Sequence, residues 1–206
     1  MSPVRGGRAS ITGRWYSYAS MDRMIKGVVL ASRKAFVLER FGEAGLARII
    51  GSLPEKDREL LDGIVLPAGW YPLETTLRFD AAIVAVMGME SERALRELGR
   101  ESAAQNLARL HAGYVRGKAP AAFLEQTPAI YRQYYGTGWR DFVATGPRSG
   151  VITTHEAEGV TEADCFTVIG WHEKALEMVG AVDPVITHPV CRARGGAVCR
   201  YEVAWK

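Results

Sequence analysis

Three cysteines and one histidine constrain the C-terminal part of this chain more than any other feature. Cys165 is followed by His188, Cys191 and Cys199, the last three within Thr-His-Pro-Val-Cys-Arg-Ala-Arg-Gly-Gly-Ala-Val-Cys. Thiolate sulfur and imidazole nitrogen are donors that zinc takes, and four of them make a closed tetrahedral site with no position left for a reacting water. If the four meet, the segment around 165 has to return to the closing hairpin.

The local pattern says how it would do so. Cys199, Tyr201, Val203 and Trp205 share one strand face while Arg200 and Glu202 take the other, as in a half-buried strand. A turn over Arg194-Gly195-Gly196 sets Cys191 opposite Cys199. A regular strand would then aim His188 at the wrong face. Pro189 cannot donate to a ladder, and it predicts a bulge that swings His188 toward the thiols. Cys165 arrives from the start of a helix packed on that sheet, where backbone N–H groups favour the thiolate. The residues alone leave two other readings open: buried free thiols acting as small hydrophobes, or a Cys191–Cys199 disulfide in an oxidising compartment. An odd count of three cysteines fits reduced thiols or ligands better than a disulfide framework.

The 206 residues suffice for one well-cored domain, and 48% apolar with 24% charged residues is the balance of a folded soluble chain. No apolar run reaches the roughly 18–20 residues that span a bilayer. Arg5, Arg8 and Arg14 are followed by no apolar stretch, so the N-terminus does not read as a secretory signal and the expected compartment is the cytoplasm. A net charge of +3 argues against a nucleic-acid partner, and Arg192, Arg194 and Arg200 read as a solvated hairpin tip.

Residues 1–19 are Gly-, Ser- and Arg-rich and read as a flexible N-terminus; 20–206 read as a single domain, mainly helical over 20–135 and sheet-bearing over 136–206. Met21 to Phe41 mixes β-branched and helical stretches, and a helix is expected over Glu43–Gly51. Ser52-Leu-Pro-Glu opens a short helix with Ser52 as its cap. Longer helices follow from Pro72 and from a Ser91 cap. Ala121–Tyr135 is helical with an interruption at Pro128. Trp139–Thr145 and Gly150–Glu156 read as strands about a Gly-Pro-Arg-Ser turn, then come a helix over Asp164–Val179 and a hairpin of Val185–Val190 with Ala197–Trp205. The class is α+β: N-terminal helices followed by an antiparallel sheet with a packed helix.

Cys165, Ile169, His172, Leu176 and Val179 fall on one helical stripe, so His172 points into apolar surroundings and needs a partner. It is either a core histidine with a protein partner or a hydrogen-bonding group in a pocket. Tyr134, Tyr135 and Trp139 crowd the same region with Tyr131 and Phe142. Together with Ile169 and His172 they are the candidate lining for a small apolar or aromatic ligand, the alternatives being core and interface. His111 reads as a helix C-terminal cap. His155 with Glu156, Glu158 and Glu162 reads as a solvated acidic loop, with a second metal site as its sharper alternative.

Asp164-Cys165-Phe166 through Gly170-Trp171, with His188-Pro-Val-Cys191 and Cys199-Arg-Tyr-Glu-Val, resembles the C-terminal half of 4-vinyl-reductase-like domains. Met87-Gly88-Met89, Arg93, Leu98-Gly99, Ala103-Ala104 and Ala112 to Gly117 are similar to their helical part. Lys26-Gly27-Val28-Val29, Phe36 to Gly42 and Gly69-Trp70-Tyr71-Pro72 are similar to an uncharacterised myxobacterial group. The resemblance implies a ligand-sensing domain like those of phenol- and xylene-responsive activators, with a structural Zn2+ on Cys165, Cys191 and Cys199 and His188 where those sensors have a carboxylate. It also implies a homodimer. The resulting expectation is a small-molecule-binding, sensor-like module that acts through a partner protein, since no phosphate-binding Gly-rich loop and no DNA-reading helix pair is present. The alternatives are a dimeric scaffold, as in vesicle-tethering transport-particle subunits of related fold, and a reductase acting on a vinyl-bearing pigment. No catalytic residue stands out.

Overall fold

Apolar residues at helical spacing in the first half and at alternate positions in the second build two cores that share one helical wall. The computed structural model describes residues 23–206, so the Gly- and Arg-rich stretch expected over 1–19 lies outside the described residues. The order is β1 (Met24–Lys26), α1 (Gly27–Gly51), α2 (Glu55–Asp62), β2 (Trp70–Pro72), α3 (Leu73–Met87), α4 (Ser91–Ala108), α5 (Pro120–Leu124), α6 (Thr127–Tyr134), β3 (Trp139–Gly146), β4 (Ser149–His155), α7 (Glu162–Met178), β5 (Val185–Val190) and β6 (Cys199–Ala204). The architecture is α+β, as the element order implies.

Helices α1 to α4 enclose one core around Leu30, Val37, Ile49, Phe79, Ile83 and Leu98. The second lies between α7 and the inner face of a four-stranded antiparallel sheet of order β3-β4-β6-β5. Helix α7 is therefore buried on two sides, by the sheet and by α4. That double contact demands a close helix crossing, and two glycines permit it. A Cβ on Gly99 would stand 2.0 Å from the Thr167 carbonyl oxygen, and one on Gly170 2.0 Å from that of Arg96. Glu173 and Glu177 of α7 then meet Arg96 and Arg100 of α4 along the rim.

Several boundaries differ from the expectation for local reasons. The mixed segment before Phe41 is a three-residue strand running straight into α1, which breaks only at Gly42, where φ is 67°. Strand β1 pairs with β2, and Ile25 also bridges to Tyr135, so the N-terminal half is tied to the sheet-bearing half. Ser52 does not cap α2; its hydroxyl donates back to the Ile49 carbonyl, and Pro54 takes the cap position. Ser91 is the first helical residue of α4 and Glu90 the cap, its carboxylate accepting from the N–H groups of Glu92 and Arg93.

Candidate metal centre and inner cavity

The hairpin β5–β6 carries an irregularity between Thr187 and Val190, where the register slips by a residue at His188-Pro189. The slip turns the imidazole of His188 inward, as Pro189 had implied. Cys199 occupies the first inward position of β6, whose residues alternate buried and exposed. Cys191 follows β5 directly and precedes a helical turn of Arg192–Arg194, which Gly195 closes in the left-handed conformation. Cys165 lies in the first turn of α7, whose cap is the Thr161 hydroxyl.

The ligand atoms of Cys165, His188, Cys191 and Cys199 lie within 4.8 Å of one another. The Cys165 sulfur is 3.9 Å from that of Cys191 and 3.7 Å from that of Cys199. Three sulfurs on one zinc at ~2.3 Å stand about 3.8 Å apart at tetrahedral angles. All three cysteines are buried and free, so the disulfide reading does not hold. Both ring nitrogens of His188 are buried without a hydrogen-bond partner, while the ring stacks on Tyr201 at 4.4 Å and 6°. A buried imidazole with neither nitrogen satisfied is costly unless one binds something. The adjacent Cys165 thiol, then the His188 ring and the Arg192 N–H at 3.4 Å, pull the Cys199 thiol down against its burial. The same contact and burial push Cys165 up. Donor set, spacing and orphaned imidazole fit zinc.

Above the hairpin tip, Arg192 pairs with Glu158 at 2.7 Å and Arg194 with Glu162. The basic tip and the acidic loop thus neutralise each other. His155 bonds Asp141 at 2.7 Å and stacks on Trp139, and no second metal cluster forms there among the described residues. His111 follows α4 and rests against Tyr114 and Tyr134, where burial lowers its pKa.

A second site opens where α7 faces α1, α3, α6 and β3. It is a cavity of about 50 Å³ bordered by His172, Tyr134 and Tyr135. The other two expected lining residues are elsewhere: Ile169 is packed in the core, and Trp139 is 44% exposed on the solvent face of β3. His172 is fully engaged. Its Nδ1 is 2.8 Å from the Val168 carbonyl and its Nε2 is 3.2 Å from Arg140 Nη1, so the ring is neutral, with Nδ1 donating and Nε2 accepting. Burial, with the Arg140 charge behind it, lowers the His172 pKa to about 3.

The sequence reading missed the charged groups of this cavity. Arg33 and Asp80 form a buried pair, Nε to Oδ1 2.7 Å and Nη2 to Oδ2 3.3 Å, with Arg33 Nη1 donating to Leu98 O at 3.0 Å. Arg140 donates from Nε to Thr154 Oγ1 at 3.0 Å. Tyr135 donates to Asp164 at 3.0 Å, and burial raises the Asp164 pKa to about 7. Arg140 was visible in principle: it sits at an inward position of β3, beside Phe142, where an apolar residue is the norm. Arg33 on α1 and Asp80 on α3 have no such signal, because their pairing depends on how the two helices cross.

No family model and no curated protein matches the chain. Solved structures do. An H-NOX (heme-nitric oxide/oxygen binding) protein from S. oneidensis, studied in the Fe(II) ligation state, matches with a TM-score of 0.70 at 12% identity, over 88% of this chain and 96% of that one. The fold is H-NOX-like. A second H-NOX protein, from work probing heme distortion, gives 0.68 at 11% identity over 88% and 95%. An oxygen-binding H-NOX domain related to soluble guanylate cyclases gives 0.66 at 12% over 88% and 95%. These matches overturn the 4-vinyl-reductase-like and myxobacterial resemblances: the quoted motifs are short and local, whereas the H-NOX match spans both halves of the chain. The expectation of a vinyl reductase falls with them.

Heme does not fit the inner cavity. About 50 Å³ is far below the ~300–1,000 Å³ of pockets that enclose even drug-sized ligands. His172, the histidine that borders it, has no nitrogen to spare for iron. Burial raises the pKa of each of Tyr131, Tyr134 and Tyr135, which suppresses a phenolate ligand.

Proposed function

We propose that this chain is a ligand-sensing module of H-NOX-like fold, with a structural zinc on Cys165, His188, Cys191 and Cys199, whose inner cavity takes a small molecule in place of heme. The observation that carries the reading is the cavity itself. It is enclosed between the helical half and the sheet, and it is bordered by buried polar atoms that have no protein partner, Thr76 Oγ1 and Trp171 Nε1 among them. Buried polar atoms are satisfied in folded proteins, so such a cavity is built to hold something.

The chain's own residues account for how occupancy would be felt elsewhere. Asp164 borders the cavity and Cys165, next in sequence, enters the metal cluster. Arg140 borders the cavity and lies in one row of the sheet with Thr154 and Cys199. Zinc ties the first turn of α7 to the hairpin, so a shift of α7 on ligand binding is transmitted to β5 and β6 rather than absorbed locally. Such a module acts through a protein partner. No helix among the described residues is long and apolar enough to cross a membrane.

Native mass spectrometry with an absorption spectrum, on protein made in heme-replete cells, tests this. The expected result is one zinc per chain, a weakly held small mass, and no Soret band. A stoichiometric heme mass with a Soret band would overturn it.

A further inference from the structure

Arg140 is a buried guanidinium with no carboxylate in ion-pair contact among the described residues. It is 7% exposed, yet its Nε and Nη1 meet only the neutral acceptors Thr154 and His172. Its planar face lies 4.6 Å from the Tyr131 ring and 5.9 Å from that of Tyr201. No salt bridge reaches it among the described residues, in contrast to Arg33, which Asp80 neutralises within the same cavity. A buried charge without a counter-charge is among the costliest arrangements a fold can hold.

The other groups around the cavity do not supply that counter-charge. Asp80 is committed to Arg33. Asp164 accepts from the Tyr135 hydroxyl at 3.0 Å and makes no ion pair with Arg140. Donors, meanwhile, are in surplus. Thr76, 2% exposed, has an unpartnered hydroxyl, and the indole N–H of Trp171 is buried and unpartnered. A metal centre of one zinc and three thiolates carries one net negative charge, but it stands two strands away from Arg140, beyond Thr154. At ~4.8 Å per strand that distance leaves the guanidinium without a contact partner. The size of the cavity limits its occupant to a few non-hydrogen atoms.

We propose that the inner cavity binds a small monocarboxylate, its charge set against Arg140 and its oxygens accepting from the Thr76 hydroxyl and the Trp171 N–H. A neutral molecule would leave the guanidinium uncompensated, and an ammonium would add to the positive excess. Ile25, Val29 and Ile130 on the cavity wall suit a short alkyl tail. The proposal rests on the ligand-sensing reading above and narrows it to one chemical class.

Isothermal titration of the zinc-loaded chain at pH 7 with sodium acetate and sodium propionate, against acetamide as the uncharged isostere, tests it. The carboxylates are expected to bind at least ~10-fold more tightly than acetamide. Arg140→Gln is expected to weaken them by a further ~10-fold or more, and Trp171→Phe, which keeps an aromatic ring and removes the N–H, by ~5–10-fold. Zinc content and thermal unfolding of each variant establish that it is folded. Acetamide binding as tightly as acetate would overturn the carboxylate assignment and leave the sensing reading standing. Carboxylate affinity unchanged in both variants would place the binding elsewhere and overturn the site. No binding of any of the three to the folded, zinc-loaded chain would overturn the carboxylate proposal, while the small-molecule reading is decided by the co-purifying mass.

Discussion

The Nε2 atom of His172 lies 3.2 Å from Nη1 of Arg140, and burial, with that permanent cation behind it, holds this imidazole neutral. Its folded-state pKa of about 3 lies below that of the same ring in the unfolded chain, near 6.5. The unfolded chain therefore binds a proton that the folded chain refuses. The stability this group contributes is complete above pH ~6.5 and declines by about 1.4 kcal/mol per unit as pH falls toward 3. Asp164 works in the opposite sense, because its raised pKa costs stability as pH rises from ~3.9 toward 7. His172→Gln keeps an acceptor for Arg140 and removes the first effect alone. Between pH 7 and pH 5 the variant should gain about 2 kcal/mol on the wild type in urea unfolding. A difference that does not change with pH would contradict the assignment.

The Arg33–Asp80 pair gives a sharper stability test, since both side chains are about 5% exposed or less. Arg33→Met strands a buried carboxylate and should cost about 3–5 kcal/mol, measured as the shift in urea midpoint at constant slope. Arg33→Met combined with Asp80→Leu should cost less than Arg33→Met alone, because no charge is left unpaired. A double variant as unstable as the sum of its singles would show that the pair acts through packing instead.

The crossing of α4 and α7 predicts an unusual sign for a helical glycine. Alanine in place of a mid-helix glycine ordinarily stabilises by up to ~1 kcal/mol. At Gly170 the new methyl would stand 2.0 Å from the Arg96 carbonyl oxygen, a backbone atom that cannot rotate away. Gly170→Ala should therefore destabilise by about 2–3 kcal/mol in thermal or urea unfolding. A neutral or stabilised variant would mean that the two helices are further apart than described.

These cases mark how far the sequence could be read. The strands β3 to β6, the helix before the hairpin and the bulge at His188-Pro189 were all legible, because each follows from local alternation, from turn residues or from a proline that cannot donate. The meeting of Cys165 with the hairpin thiols followed from the chemistry of the donors. The short β1–β2 pair, the Gly99/Gly170 contact and the Arg33–Asp80 bond were not legible, since each depends on which elements cross and at what distance. His172 was correctly read as a buried polar residue in need of a partner, but that partner, Arg140, comes from a strand whose position only the tertiary structure gives. The family resemblance misled for a related reason: short motifs of Gly, Arg and aromatic residues do not distinguish folds that arrange similar elements alike.

Removing the metal should loosen the C-terminal third first. Chelation, or Cys199→Ser, should lower the unfolding midpoint by roughly 10 °C, as the loss of a few kcal/mol does in a domain of this size. Amide exchange should rise in β5, β6 and the first turn of α7 before it rises in α1 to α3. Uniform loosening of the whole chain, or no change of midpoint, would speak against a zinc staple at this position.

Zinc-edge X-ray absorption on protein purified without added metal bears most directly on the centre that joins α7 to the hairpin. The account predicts one zinc per chain with three sulfur neighbours at ~2.3 Å and one nitrogen at ~2.0 Å. A metal-free chain whose three thiols all react with a thiol reagent on unfolding, or a zinc bound mainly by oxygen, would contradict it.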